Sequence, residues 1–188
     1  MARLPYVSRE QLPPDKRPLY DHVSETRGGI EGGGIPRSFQ LLMNSPDAAA
    51  SVAQLGEHIR LQSSLDPAIR ETAILGTARA LNSKYEWAHH EPMARQVGVR
   101  EEVIEAIRSG KAPMGLPPKE GVYVGAAKEL VLKGALSERT VQAIDHLLGP
   151  QGTVDVVVVI SYYAMLHRAL ASLGIELEPG MTADLPDL

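Results

Sequence analysis

Glu71, Glu86 and His90 are the side chains whose types and spacing fit acid–base chemistry in this sequence. Glu86 and His90 stand at i and i+4 of one expected helix, so both lie on the same face. A carboxylate one turn before a histidine can hold its tautomer and support it as a proton carrier. Met93 and Val97 continue the same stripe as apolar residues. Simpler readings compete with this one. Ser83-Lys84-Tyr85-Glu86 has the S-x-x-E form of a capping box, in which Glu86 would satisfy the backbone at Ser83. A lone histidine is more often a satisfied core or surface residue than a catalyst. Glu86, His89, His90 and Glu91 also crowd one turn, which raises the question of a metal. No HExxH is present, and His89 diverges from His90 by about 100°. A metal would need His58, His167 or another chain to complete its shell, and none is assigned.

These groups need two helices to position them. Asp66-Pro67 is a helix start, with an acceptor at the N-cap and proline at the first helical position. Ile69, Ala73, Ile74, Ala78 and Leu81 then recur at helical spacing, so one side should face a core with Glu71 on its flank. A tight junction at Asn82-Ser83 leads into the second helix, which carries Glu86 and His90. Pro92 removes the hydrogen bond to the carbonyl of Ala88 and is expected to loosen that turn. The carboxyl of Glu71 would rise if desolvated and fall if paired with Arg70 or Arg79.

Glu71, then Tyr85-Glu86-Trp87 and His90, then Ala94 and Gly98-Val99, resemble the carboxymuconolactone decarboxylase family, which is related to alkylhydroperoxidase D. The peroxidase branch carries a glutamate followed by C-x-x-C-x-x-x-H on the next helix. Counted from Glu71, Ser83 and Glu86 stand at the two cysteine positions and His90 at the histidine. The chain has no cysteine, so it cannot carry out thiol-based peroxide reduction. What remains is similar to the cysteine-free, decarboxylase-like branch. The resemblance is strongest over about residues 36–110 and weakly reaches the YYAMLHRAL segment. It implies an all-α, alkylhydroperoxidase D-like bundle, assembly into trimers or hexamers, and a cofactor-free lyase acting on a small carboxylated lactone or enolisable acid. In that reading His90 is the acid/base, Glu86 orients it, and Glu71 is a second proton carrier or orienter. Arg37 would meet a substrate carboxylate, and Tyr85, Tyr163 and His167 are further candidate substrate contacts. A non-catalytic scaffold that binds a small molecule, or another cofactor-free isomerase or lyase, are the alternatives.

At 188 residues the simplest organisation is one domain, with its core at about 36–175 and an N-terminal arm at 1–14. Hydrophobic residues make up 44% and aromatics 4%, which suits close-packed helices. A net charge of −4 without a Lys/Arg cluster argues against a nucleic-acid partner. Zero cysteines removes disulfides and thiolate metal sites. No signal core or membrane span is read in the sequence, so a cytoplasmic protein is the default expectation.

Elsewhere, residues 1–12 read as an irregular arm and 15–27 as a short helix. Gly28–Gly34 is glycine-rich but lacks a preceding strand and a following Gly-Lys-Ser/Thr, so it reads as a mobile connection or lid instead of a phosphate loop. Further helices are expected at 36–44, 46–63, 100–108, 119–133 and 138–148. Glu57 and His58 are adjacent and do not share a face. A last, mostly buried helix is expected over 154–173, where length decides against a β-branched strand. The acidic tail 176–188 is expected to be loose.

Overall fold

Asp66 caps a helix as its sequence suggests: its carboxylate accepts from the Ala68 N–H at 2.8 Å, and Pro67 opens the helix. Local signals of this kind recur along the chain. The computed structural model describes residues 1–27, 34–110 and 116–187, without the side chains of 118 and 119. Most of the expected Gly-rich connection or lid, Gly28–Gly34, and residues 111–115 lie outside the described residues. Among the described residues there are eight α-helices: α1 Arg17–Thr26, α2 Arg37–Leu42, α3 Pro46–Leu61, α4 Pro67–Ala80, α5 Lys84–Gln96, α6 Glu101–Arg108, α7 Pro118–Lys133 and α8 Glu138–Ser172. The all-α expectation holds.

Contacts divide the chain into two units, Met1–Gln62 with Arg168–Met181, and Ser63–His167 with Thr182–Leu188. In the first unit α1, α2 and α3 surround a core of Leu12, Tyr20, Val23, Ile35, Phe39 and Met43. The N-terminal arm is part of this unit and is not loose. The Arg3 N–H donates to Leu173 O at 2.8 Å, the Val7 N–H donates to Gln40 O at 3.1 Å, and Arg9 forms a two-bond contact with Asp21. Glu57 pairs with His22 at 2.7 Å, while His58 lies 3.3 Å from Gln62 Oε1.

In the second unit α4 is the central element. The expectation of one core-facing side was too narrow, because every residue from Glu71 to Arg79 is buried. At Gly76 the approach of α7 is so close that a Cβ would lie 2.8 Å from that of Ala127. Leu75 and Ala78 join Trp87 and Ala94 of α5 and Val103, Ile104 and Ile107 of α6 in one apolar cluster.

The expected break at Gly149-Pro150 is present as a single non-helical residue inside α8, Gly149 with φ 69° and ψ 179°. Glycine accepts that conformation without a Cβ penalty. Taken whole, α8 is long and apolar enough to cross a membrane, which the sequence reading missed by dividing it. The core helix of a soluble protein passes the same test of length and composition.

The tail is also pinned. Leu185 is 4% exposed and belongs to the second unit's core, and Asp187 pairs with Lys84 at 2.9 Å. In the first unit Glu178 accepts from the Arg37 N–H at 3.0 Å.

Candidate active site

The site depends on how α4 turns into α5. Leu81 ends α4, Asn82 takes the left-handed conformation at φ 52°, and Ser83 starts α5. Asparagine tolerates that conformation better than most residues. The Asn82 N–H donates to Arg79 O at 3.0 Å and the Ser83 N–H to Ala78 O at 2.7 Å. These are the two bonds of a Schellman closure, with Asn in the place glycine usually takes. Ser83 Oγ accepts from the Glu86 N–H at 3.4 Å, so the forward half of the capping box forms. The reciprocal half has no task, because the Ser83 N–H is already bound by Ala78. The Glu86 carboxylate instead faces His90.

His90 lies between two carboxylates. Its Nδ1 is 2.8 Å from Glu71 Oε2, and its Nε2 is 3.8 Å from Glu86 Oε2. Glu71, Glu86 and His90 are 3%, 4% and 6% exposed. An ionised carboxylate only accepts, so Nδ1–H donates to Glu71 and Nε2 is left as the exchangeable position. Burial pushes the Glu71 carboxyl up, but the charge of His90, the hydrogen bond from its ring and the Arg70 guanidinium outweigh it and hold the group below its ordinary value. Arg70 Nε reaches Glu71 Oε1 at 3.3 Å. Of the two arginines considered as partners for Glu71, it is Arg70 that pairs. The Tyr163 ring meets the His90 ring edge-on, with centroids 4.9 Å apart, and Tyr162 stands edge-on to Tyr163 at 5.2 Å.

Two details of the expected arrangement change. The closer carboxylate on His90 is Glu71, from the preceding helix, and not Glu86 at i−4. The apolar continuation of the Glu86–His90 stripe is also less buried than the polar pair, since Met93 is 38% exposed. α5 runs without interruption through Pro92.

The other candidates divide. Tyr85 is buried and packs on His89 with centroids 4.6 Å apart. His167 follows Tyr163 by one turn of α8 and is half-buried. Arg37 belongs to the first unit, where its Nη1 donates to Leu177 O at 2.6 Å and its guanidinium lies over the Tyr6 ring at 4.8 Å. It ties the tail segment to α2 within that unit. Tyr162 was not singled out in the sequence, although the Tyr162-Tyr163 pair offered the signal. Among the described residues no group of three His, Asp or Glu side chains is placed to hold a metal ion. The two carboxylates approach opposite nitrogens of one imidazole, so they do not converge on a point.

The all-helical fold is of the alkylhydroperoxidase D-like kind. Three solved structures agree. A peroxidase-related protein with an alkylhydroperoxidase AhpD core from Ralstonia eutropha JMP134 has TM-score 0.76 and 18% identity, covering 94% of this chain and 92% of that one. A peroxidase-related protein from Silicibacter sp. TM1040 gives TM-score 0.73 at 14% identity, covering 94% and 92%. The debrominase Bmp8 in complex with 2,3,4-tribromopyrrole gives 0.70 at 15% identity, covering 88% and 86%. At these identities the likeness concerns the fold alone. Residues 46–129, the segment that carries Glu71, Glu86 and His90, match the sequence model of the carboxymuconolactone decarboxylase family. A search of curated proteins finds no significant match.

Proposed function

We propose that this chain is a cofactor-independent acid–base enzyme of the carboxymuconolactone decarboxylase kind, which decarboxylates or protonates a small carboxylated lactone or enolisable acid. The observation that carries this reading is the buried imidazole of His90, fixed at Nδ1 by Glu71 at 2.8 Å with Nε2 turned to Glu86.

The chemistry follows from those roles. In a decarboxylation the bond to the leaving carboxyl carbon breaks, its electron pair passes into an enolate, and carbon dioxide departs. The enolate carbon then takes a proton. His90 Nε2–H supplies that proton, and Glu86 or solvent returns one to the ring. Glu71 keeps its charge throughout and stabilises the imidazolium, so it is the orienting carboxylate and not a second proton carrier. The absence of cysteine from the chain leaves these oxygen and nitrogen groups as its means of proton transfer. The same reading takes the working form to be a cytoplasmic homo-oligomer, a trimer or hexamer.

The test is turnover of 4-carboxymuconolactone by purified, metal-free protein, followed as carbon dioxide release, with His90→Gln as control. Turnover that disappears in the variant supports both the reaction and the role of His90. A folded protein that releases no carbon dioxide rules out this substrate.

A further inference from the structure

The second unit holds a cavity of about 280 Å³ at the N-terminal end of α4, bounded by the turn between α5 and α6 and by the start of α7. Glu71, Glu86 and His90 do not line it. Tyr123 of α7 does, and it is the first sign of a ligand. The residue is 5% exposed, yet its hydroxyl makes no hydrogen bond among the described residues. A buried phenol ordinarily finds a partner. The oxygen is not sealed inside the core, and the charge of Asp66 acts on it, so it faces the cavity that Tyr123 and Asp66 share. Burial, with the Asp66 charge adding to it, raises the phenol above its ordinary value. The hydroxyl therefore stays neutral, and its oxygen has lone pairs to offer.

The rest of the lining sets the character of that ligand. Asp66, Arg100 and Glu120 are the charged residues among those described around the cavity. Arg100 is committed to Glu120, to which its Nε and Nη2 donate at 3.0 and 2.6 Å. Asp66 has no such cation among the described residues. Its Oδ1 accepts from the Ala68 N–H at 2.8 Å, which leaves Oδ2 to an outside donor. The Thr72 hydroxyl already donates to Ala68 O at 2.7 Å. Ile69, Val99 and Val103 make the remaining wall apolar, and both valines are buried. An anion would meet the Asp66 charge with no uncommitted cation to offset it, and a neutral molecule would gain nothing from that charge. An ammonium group suits both sides, because it donates to the Asp66 carboxylate and to the Tyr123 oxygen. The 280 Å³ equals roughly nine waters at about 30 Å³ each, the space of a single ring on a short arm.

We propose that this cavity binds a small primary amine with an apolar body, its ammonium between Asp66 and Tyr123 and its body against Ile69, Val99 and Val103. The experiment is calorimetric titration of the full chain, at neutral pH and constant ionic strength, with benzylamine, benzyl alcohol and benzoate. The three share a ring and differ in charge. The titrations are repeated on Asp66→Asn and on Tyr123→Phe. Asparagine caps a helix as well as aspartate does, and the Tyr123 hydroxyl holds nothing in the fold, so both variants should unfold at about the temperature of the unaltered protein. Benzylamine is expected to saturate at one site per chain, with the alcohol and benzoate weaker by about tenfold or more. Asp66→Asn should weaken benzylamine about tenfold, and Tyr123→Phe several-fold. Lack of saturation by benzylamine on the folded protein overturns the proposal. So does equal binding of benzyl alcohol or benzoate. Full affinity in either folded variant overturns it as well, because the amine would then sit on another carboxylate. Each variant decides on its own if the other does not fold.

Discussion

Glu71 of α4 and His90 of α5 are nineteen positions apart and meet at 2.8 Å, with both side chains almost wholly buried. The contact follows from the turn between them. Asn82 in the left-handed conformation and the Ser83-to-Ala78 hydrogen bond reverse the chain within a few residues, so that the middle of α5 returns beside the first turns of α4. Glu86 then approaches the other ring nitrogen at 3.8 Å. One imidazole is thus held at one nitrogen and faced by a second carboxylate at the other.

Kinetics should separate the roles of these groups. Under the proposed mechanism His90→Gln removes the proton carrier and is expected to lower kcat by about 10²–10⁴-fold. Glu71→Gln leaves the imidazole but deprives the imidazolium of its counter-charge, so a smaller loss is expected, about tenfold or more, with KM little changed. Measured kcat and KM on the substrate turned over by the unaltered protein decide this. A Glu71→Gln variant with full kcat would remove Glu71 from the mechanism.

Stability should depend on the same pair at acid pH. Burial raises the Glu71 carboxyl, but the His90 charge and the hydrogen bonds from His90 and Arg70 bring it below the ordinary 4.5. A carboxyl depressed in the folded state stabilises the fold above its unfolded value, and that contribution is lost as pH falls through the folded value. Thermal unfolding followed below about pH 4.5 should therefore show a steeper loss of Tm in the unaltered protein than in Glu71→Gln. At neutral pH the variant should be the less stable of the two. Parallel acid limbs would mean that Glu71 is not held ionised by His90.

The local half of this arrangement was legible in the sequence. Asp66-Pro67 and Ser83 marked the starts of α4 and α5, Gly149-Pro150 marked the interruption of α8, and the length of the apolar run over 154–173 decided helix over strand. The residue pattern also pointed to a family whose model matches residues 46–129, and it singled out Glu71, Glu86 and His90, which the fold brings together. What the sequence did not reveal depends on contacts distant along the chain. The i, i+4 rule favoured Glu86 as the partner of His90, whereas the nearer oxygen belongs to Glu71 through the α4–α5 crossing. Charge alone made the tail look loose, yet Leu185 is buried in the same apolar cluster as Trp87, Ile104 and Ile107. Nothing local to Arg37 showed that Leu177 O would accept from it.

Ser83 and Glu86 allow capping and chemistry to be told apart. Ser83 Oγ caps α5, while the Glu86 side chain faces His90. Ser83→Ala should cost about 1 kcal/mol of stability and leave kcat within a few-fold. Glu86→Gln should do the reverse, keeping the shape of the side chain while reducing turnover. Chemical denaturation and steady-state assays on both variants provide the comparison. If Glu86→Gln lost stability and kept full turnover, the carboxylate would be a structural group alone.

Leu185 tests whether the C-terminal segment belongs to the fold that carries the site. It is 4% exposed, and the residues around it extend the attachment. Pro186 O accepts from Arg79 at 2.6 Å, and Asp187 pairs with Lys84 at 2.9 Å. Trp87, one of the core residues beside Leu185, is fully buried and sits on α5 between Glu86 and His90. Leu185→Ala removes buried methyl groups and leaves a cavity against that helix, so a loss of about 2–5 kcal/mol is expected in urea denaturation. The exposed Asp187–Lys84 pair should matter far less, and Asp187→Asn should cost no more than about 1 kcal/mol. If Leu185→Ala proved as mild as Asp187→Asn, the tail would only rest on the surface, and α5 would owe its position to α4 and α6 alone.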